Sequence, residues 1–96
     1  RHSPLIGKEI KTVAVLGGSG SFAIPNAKQQ KADAFITADL KYHQFYQGEN
    51  NLLLLDVGHY ESEQFTKNLI FDYLTKKMPN FAIVLSSIKT NPVNYF

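Results

Sequence analysis

Apolar and amphipathic stretches alternate along the 96 residues, and they do so with two different periods. "TVAVLGG" (12–18), "AFITAD" (34–39), "NLLLLDV" (51–57) and "FAIVLSS" (81–87) are short, aliphatic and bounded by glycine or polar residues, the pattern of strands. "NLLLLDV" is apolar almost without interruption, as expected of a strand buried on both faces. Between these runs lie segments of helical character. "SFAIPNAKQQKA" (21–32) predicts a helix with Ser21 at its N-cap and Pro25 in the first turn, where a missing N–H is tolerated. "LKYHQFYQGEN" (40–50) predicts a short helix ending near Gly48. From Glu61 to Met78, the residues Phe65, Leu69, Ile70, Tyr73, Leu74 and Met78 recur at helical spacing. That predicts an amphipathic helix of about five turns, stopped by Pro79. The closing "IKTNPVNYF" carries turn chemistry.

Such alternation predicts an α/β fold: a three-layer domain with a mainly parallel sheet of about four strands and helices on both faces. One domain spanning 1–96 is expected, with Val13, Val15, Leu53, Leu55, Ile83 and Leu85 in its core. Composition supports a globular chain, 44% hydrophobic and 19% charged. The net charge of +2 comes from scattered basic residues, so nucleic acid is not an expected partner. Absence of cysteine excludes disulfides and thiolate metal sites and agrees with a cytoplasmic location. No apolar run approaches the ~20 residues of a membrane span. The opening "RHSP" has no initiator Met and no signal-peptide core, and reads as an internal start within a longer chain.

Ligands of parallel sheets gather at the carboxyl ends of the strands, where Gly17 to Gly20, Asp39 and His59 fall. Gly18, Ser19, Gly20 and Ser21 open a glycine-rich strand-to-helix turn with Asp39 about 20 residues on. They are candidates for holding a dinucleotide or another anion, or for making a tight turn and nothing more. Asp39 suits an N-cap; alternatively, on a helix it would share a face with His43 and could orient that imidazole for proton transfer. In "GHYESE" (58–63), His59 and Glu63 are at i and i+4 and would converge as a nitrogen–oxygen ligand pair for Zn, Fe or Mn. Glu61 points elsewhere. The competing reading is a capping histidine with glutamates complementing the helix dipole.

"VAVLGGSGS", "ADAFITADLKYH", "LLDVGHYESE" and "TNPVNYF", in this order and spacing, resemble the carboxyl-terminal part of the Nif-three-like family, the GTP cyclohydrolase I type 2 homologues. The resemblance implies a dinuclear centre of two divalent metal ions (Zn, Fe or Mn) and a hexameric ring of identical subunits. His59 and Glu63 match the family's G-H-x-x-x-E ligands. The other ligands, a His-His pair and a separate Asp, would come from an amino-terminal half not represented in these residues. "TADLKYH" is similar to the family's T-G-D-x-K-Y-H, with Ala38 in place of Gly and with Asp39 and His43 lining the metal cleft. Two functions follow as expectations. The first is metal-dependent hydrolysis of a phosphoester or nucleotide-like substrate, of which this chain alone would be an inactive part. The second is a non-catalytic metal carrier or regulatory scaffold with protein partners.

Overall fold

The sheet is parallel and has three strands, β1 (Val13–Ser19), β2 (Ala34–Ala38) and β3 (Leu53–Asp56), in the order β1-β2-β3. The computed structural model describes every residue from Arg1 to Phe96. Two compact units are present, Arg1–Glu63 and Gln64–Phe96.

In the first unit, register sorts the side chains. Ala14, Phe35 and Leu54 are partners across the sheet and share one face; Val13, Ala34 and Leu53, then Val15, Ile36 and Leu55, share the other. The first face is the core. Phe35 and Leu54 are sealed there with Ile24, Ala27, Ala32, Leu40 and Leu52, and Ala14, Leu16 and Phe45 pack against them. The second face is covered at Ala34 and Leu53 but open along β1, where Val13 is 48% and Val15 70% exposed. The expected core is therefore corrected: of its four members in this unit, only Leu53 is buried. β1 is an edge strand, and its outward valines have no layer over them.

A 3₁₀ turn at Ser21–Ala23 leads into α1 (Ile24–Gln29), whose second residue is Pro25. Ser21 makes no side-chain cap; Gly20 and Ala23 occupy the cap positions. Lys31 ends the helix in the left-handed conformation (φ 56°). The Ala32 and Lys31 N–H groups then donate to the Ala27 and Lys28 carbonyls, a Schellman arrangement without glycine. Residues 40–50 form a 3₁₀ helix at Tyr42–Gly48, and α2 (His59–Glu63) follows β3. On the outer side of β3 the chain start adds an antiparallel bridge, His2 opposite Leu55, with the Ser3 N–H donating to the Leu54 carbonyl.

The second unit holds α3 (Thr66–Lys77). The expected 61–78 helix is thus interrupted at Gln64 and Phe65, with no Gly or Pro at the break. Its end is as expected: Met78, which precedes Pro79, leaves the helical region (φ −131°, ψ 66°). The expected fourth strand, 81–87, does not form. An aliphatic run becomes a strand only where a neighbour accepts its ladder, and here the Ser86 carbonyl takes the Lys67 ammonium instead (3.0 Å). Ile83 is half-buried and Leu85 is 37% exposed.

Asp33 fastens the start of β1 to the turn before β2. Its carboxylate pairs with Lys8 (2.7 Å) and accepts the Thr12 and Lys11 N–H groups (2.9 and 3.0 Å). Lys8, then these two amides, hold its pKa down at about 2 against the usual 3.8. A depressed carboxyl stabilises the fold above its unfolded pKa, and that stability is lost as pH falls through the folded value. Melting temperature should therefore fall between about pH 4 and pH 2, and Asp33→Asn should flatten that slope. Leu54→Ala should cost about 2–5 kcal/mol in denaturant unfolding, and Val15→Ala well under about 1.

Candidate metal centre

Three segments meet at the carboxyl end of the sheet: the glycines closing β1, the residue after β2, and α2. α2 lies directly against β1. Gly18 donates its N–H to Ser62 Oγ (2.9 Å), and Ser62 Oγ donates to the His59 carbonyl one turn back (2.8 Å). Ser62 thereby ties the helix to the strand through the residue pair that carries His59. The ladder between β1 and β2 slips between Val15 and Ser19, and Gly18 sits in that slip at φ 68°. A Cβ on Gly18 would collide with the Glu63 carboxylate and lie 3.3 Å from His59 Nε2. Gly18 leaves the space that both side chains occupy.

His59 opens α2 and Glu63 ends it, so the two share one helical side, His59 Nε2 lying 3.1 Å from Glu63 Oε2. The other ring nitrogen, Nδ1, is 2.6 Å from Asp39 Oδ2. Asp39 stands just beyond β2 in the left-handed region (φ 57°), a conformation that costs a non-glycine residue about 1 kcal/mol. Positive φ falls at Asp39 and not at Ala38, the last residue of β2. The Asp39 carboxylate engages the Nδ1 side of the ring and leaves Nε2 turned toward the Glu63 carboxylate. The Asp39 hydrogen bond, followed by the Asp39 and Glu63 charges, raises the His59 pKa above its ordinary 6.5; partial burial works the other way.

Asp39 is not on a helix with His43. The 3₁₀ segment begins only at Tyr42, and the imidazole that Asp39 orients is His59, 20 residues away; His43 lies exposed on that segment. Ser19, Gly20 and Ser21 continue from β1 into the 3₁₀ turn. Gly18 already spends its N–H on Ser62, and its carbonyl accepts the Thr37 hydroxyl (3.2 Å). Gly17 and Gly18 lie against α2, whereas Gly20 lies against Thr37 and Leu16. A pocket of about 550 Å³ lies elsewhere, lined by His2, Tyr42, Phe45 and Tyr46 among others, and none of Asp39, His59 or Glu63 borders it.

Two contributors escaped the sequence reading. Ser62 is three residues after His59 within "GHYESE", a spacing at which a serine can turn back onto its helix. Asp56, two residues before Gly58, is buried and accepts the Gly58 N–H (3.1 Å), an Asx turn announced by "DVG".

The donor set fits a divalent ion in part: one imidazole nitrogen with a fixed tautomer and one carboxylate, side by side. No group of three or more His, Cys, Asp or Glu side chains is placed to hold a metal, because Asp39 is on the far ring nitrogen of His59. Residues 1–92 match the family model for Duf34/NIF3 (NGG1p interacting factor 3). The chain belongs to that family. Among curated relatives, a GTP cyclohydrolase 1 type 2 homolog of Staphylococcus epidermidis is 38% identical over 90 residues, which are 90% of this chain and 25% of that protein. The Campylobacter jejuni protein of the same name is 35% identical over 91 residues, 93% of this chain and 35% of its own length. Staphylococcus aureus protein SA1388 superposes over the whole chain and 33% of its own, with a TM-score of 0.78 at 30% identity. Reduced HcgD from Methanocaldococcus jannaschii matches 69% of this NIF3 chain and 27% of its own, at a TM-score of 0.57 and 29% identity. The chain thus spans a quarter to a third of the relatives it matches. No helix is long and apolar enough to cross a membrane.

Asp39→Asn should lower the His59 pKa toward its ordinary value, read from imidazole shifts in an NMR titration. Because the folded pKa is raised, the pair stabilises fully below about pH 6.5, and this stability is lost as pH rises through the folded value. The asparagine variant should lack that loss. Gly18→Ala should destabilise by at least about 1 kcal/mol and displace Glu63.

Proposed function

We propose that this chain supplies two ligands, His59 through Nε2 and Glu63 through its carboxylate, to a divalent-metal site in a longer metal-dependent hydrolase. The supporting observation is the hydrogen bond between His59 Nδ1 and Asp39, which turns the other ring nitrogen, Nε2, toward Glu63 3.1 Å away. An imidazole needed only as a helix cap would have no use for a strained aspartate on its other nitrogen. A single site needs three or four ligands, so the remainder must come from outside these residues; a second ion would sit among those further ligands. Zn, Fe or Mn suits this donor chemistry.

Bound there, such an ion supplies Lewis acidity and an activated water, the means of hydrolysing a phosphoester or nucleotide-like substrate. The chain's own residues do the preparatory work. Asp39 fixes the tautomer and ring plane of His59. Ser62 and Gly18 hold α2 against β1, and so place His59 and Glu63 together at the end of the sheet. His43, exposed on the neighbouring 3₁₀ segment, is a further imidazole on offer for substrate contact. Both ligand side chains are about half exposed (49% and 50%), which also suits a carrier that exchanges metal without turnover.

The test uses the longer protein, with metal content and hydrolysis of an activated phosphodiester measured together. His59→Ala and Glu63→Ala should each lose most of the metal and all turnover, whereas Glu61→Ala, on another side of α2, should keep both. Metal retention by His59→Ala would refute the ligand assignment. Metal loss without any hydrolysis in the parent protein would leave the carrier reading in place. The 96-residue chain alone should emerge from chelator dialysis with less than one ion bound.

A further inference from the structure

We infer that Asp56 is a positioning residue for the candidate site, holding the loop that carries Asp39 and the loop that carries His59 to one another. Its consequence for metal affinity rests on the proposed reading of His59; its geometry does not.

β2 and β3 are parallel neighbours with Thr37 opposite Asp56, so the chain leaves both strands at the same edge within a few residues. Beyond the last backbone bond between them, Val57 N–H to the Thr37 carbonyl (3.0 Å), neither exit is held by regular structure. The ladder stops at Ala38, the 3₁₀ helix starts at Tyr42, and α2 starts at His59. The Asp56 carboxylate fills that gap. Oδ2 accepts the N–H of Leu40, the residue after Asp39, at 2.9 Å; Oδ1 accepts the N–H of Gly58, the residue before His59, at 3.1 Å. Gly58 stands at φ 89°, a conformation the turn requires. Leu40 is itself buried in the core, so residue 39 is pinned on its far side while its φ is positive.

A carboxylate that only capped its own turn would stop at Gly58. The bond to Leu40 reaches across 16 positions in sequence and joins the two segments whose side chains meet as Asp39 and His59. Asp56 is 6% exposed and also pairs with the Arg1 guanidinium, which donates to the Leu40 carbonyl (3.3 Å) as well. A buried carboxylate with this many donors is charge-assisted at each of them and rigid.

Asparagine at 56 keeps the volume but presents NH₂ to one of the two backbone N–H groups, so one clamp must open. The experiment compares Asp56→Asn with the unaltered chain by NMR and by zinc titration. Three readouts are taken: amide exchange at Leu40 and Gly58, the one-bond Cα–Hα coupling of Asp39 that reports the sign of φ, and the ring-nitrogen shifts that report the neutral His59 tautomer. With the variant folded by circular dichroism, Asp39 should lose its positive φ, the Nδ1–H tautomer should no longer dominate, and zinc affinity should fall ~10-fold or more. An unchanged φ at Asp39 together with an unchanged tautomer would overturn the inference, whatever the melting temperature does. Should the variant fail to fold, the unaltered chain decides: the inference needs slow exchange at both amides and a through-hydrogen-bond coupling from Leu40 N to the Asp56 carboxyl carbon. Absence of that coupling overturns it. If the unaltered chain and the longer protein both bind no zinc while Asp39 still moves in the variant, positioning stands and the metal reading falls.

Discussion

Three parallel strands in register must all release their chain at the same edge of the sheet, and this constraint organises the first 63 residues. The glycines of β1, Asp39 after β2 and His59 after β3 are neighbours because no other arrangement of exits is open to them. Parallel exits are also poorly held, since the ladder ends where the chain must turn. The structure meets that difficulty with short polar side chains acting on backbone. Thr37 takes the Gly18 carbonyl, Ser62 takes the Gly18 N–H, and Asp56 takes the amides of both following loops. All but the Asp56–Gly58 bond join segments remote in sequence.

Much of this was legible from sequence, and the limits have physical causes. β1 to β3 could be read because aliphatic runs bounded by turn residues coincide with strands that do find neighbours. "FAIVLSS" has the same composition and no neighbour, and strand formation is a property of the pair. The valines of β1 look like core in sequence because hydrophobicity does not say which edge of a sheet a strand occupies. His59 and Glu63 could be paired from i, i+4 spacing alone, since a helix converts that spacing directly into proximity. Asp39 could not be assigned to His59 in the same way. Its nearest histidine in sequence is His43, and only the lateral order of β2 and β3 brings the correct one within reach.

The division of labour between apolar and polar parts is unusually clean. Phe35, Leu54, Ile24 and Leu40 lie in the sealed face, away from Asp39, His59 and Glu63, which stand about half exposed. Burial holds the sheet, and a small polar network holds the site. Leu40 belongs to both, buried through its side chain and clamped through its amide, which is how the core reaches the positive φ of the residue before it.

The slip in the β1 ladder also bears on the open edge of the sheet. β3 is covered on its outer side by the first residues of the chain, while β1 keeps one flank with unpaired backbone donors and acceptors. A long, straight, valine-rich flank of that kind is a template for stacking chain upon chain. The irregularity between Val15 and Ser19 confines the regular ladder of β1 to three consecutive residues before it resumes at Ser19. The slip that makes room for Glu63 therefore also limits the regular run of β1 at the open edge to Val13–Val15, a short edge of the kind that offers little to stack upon.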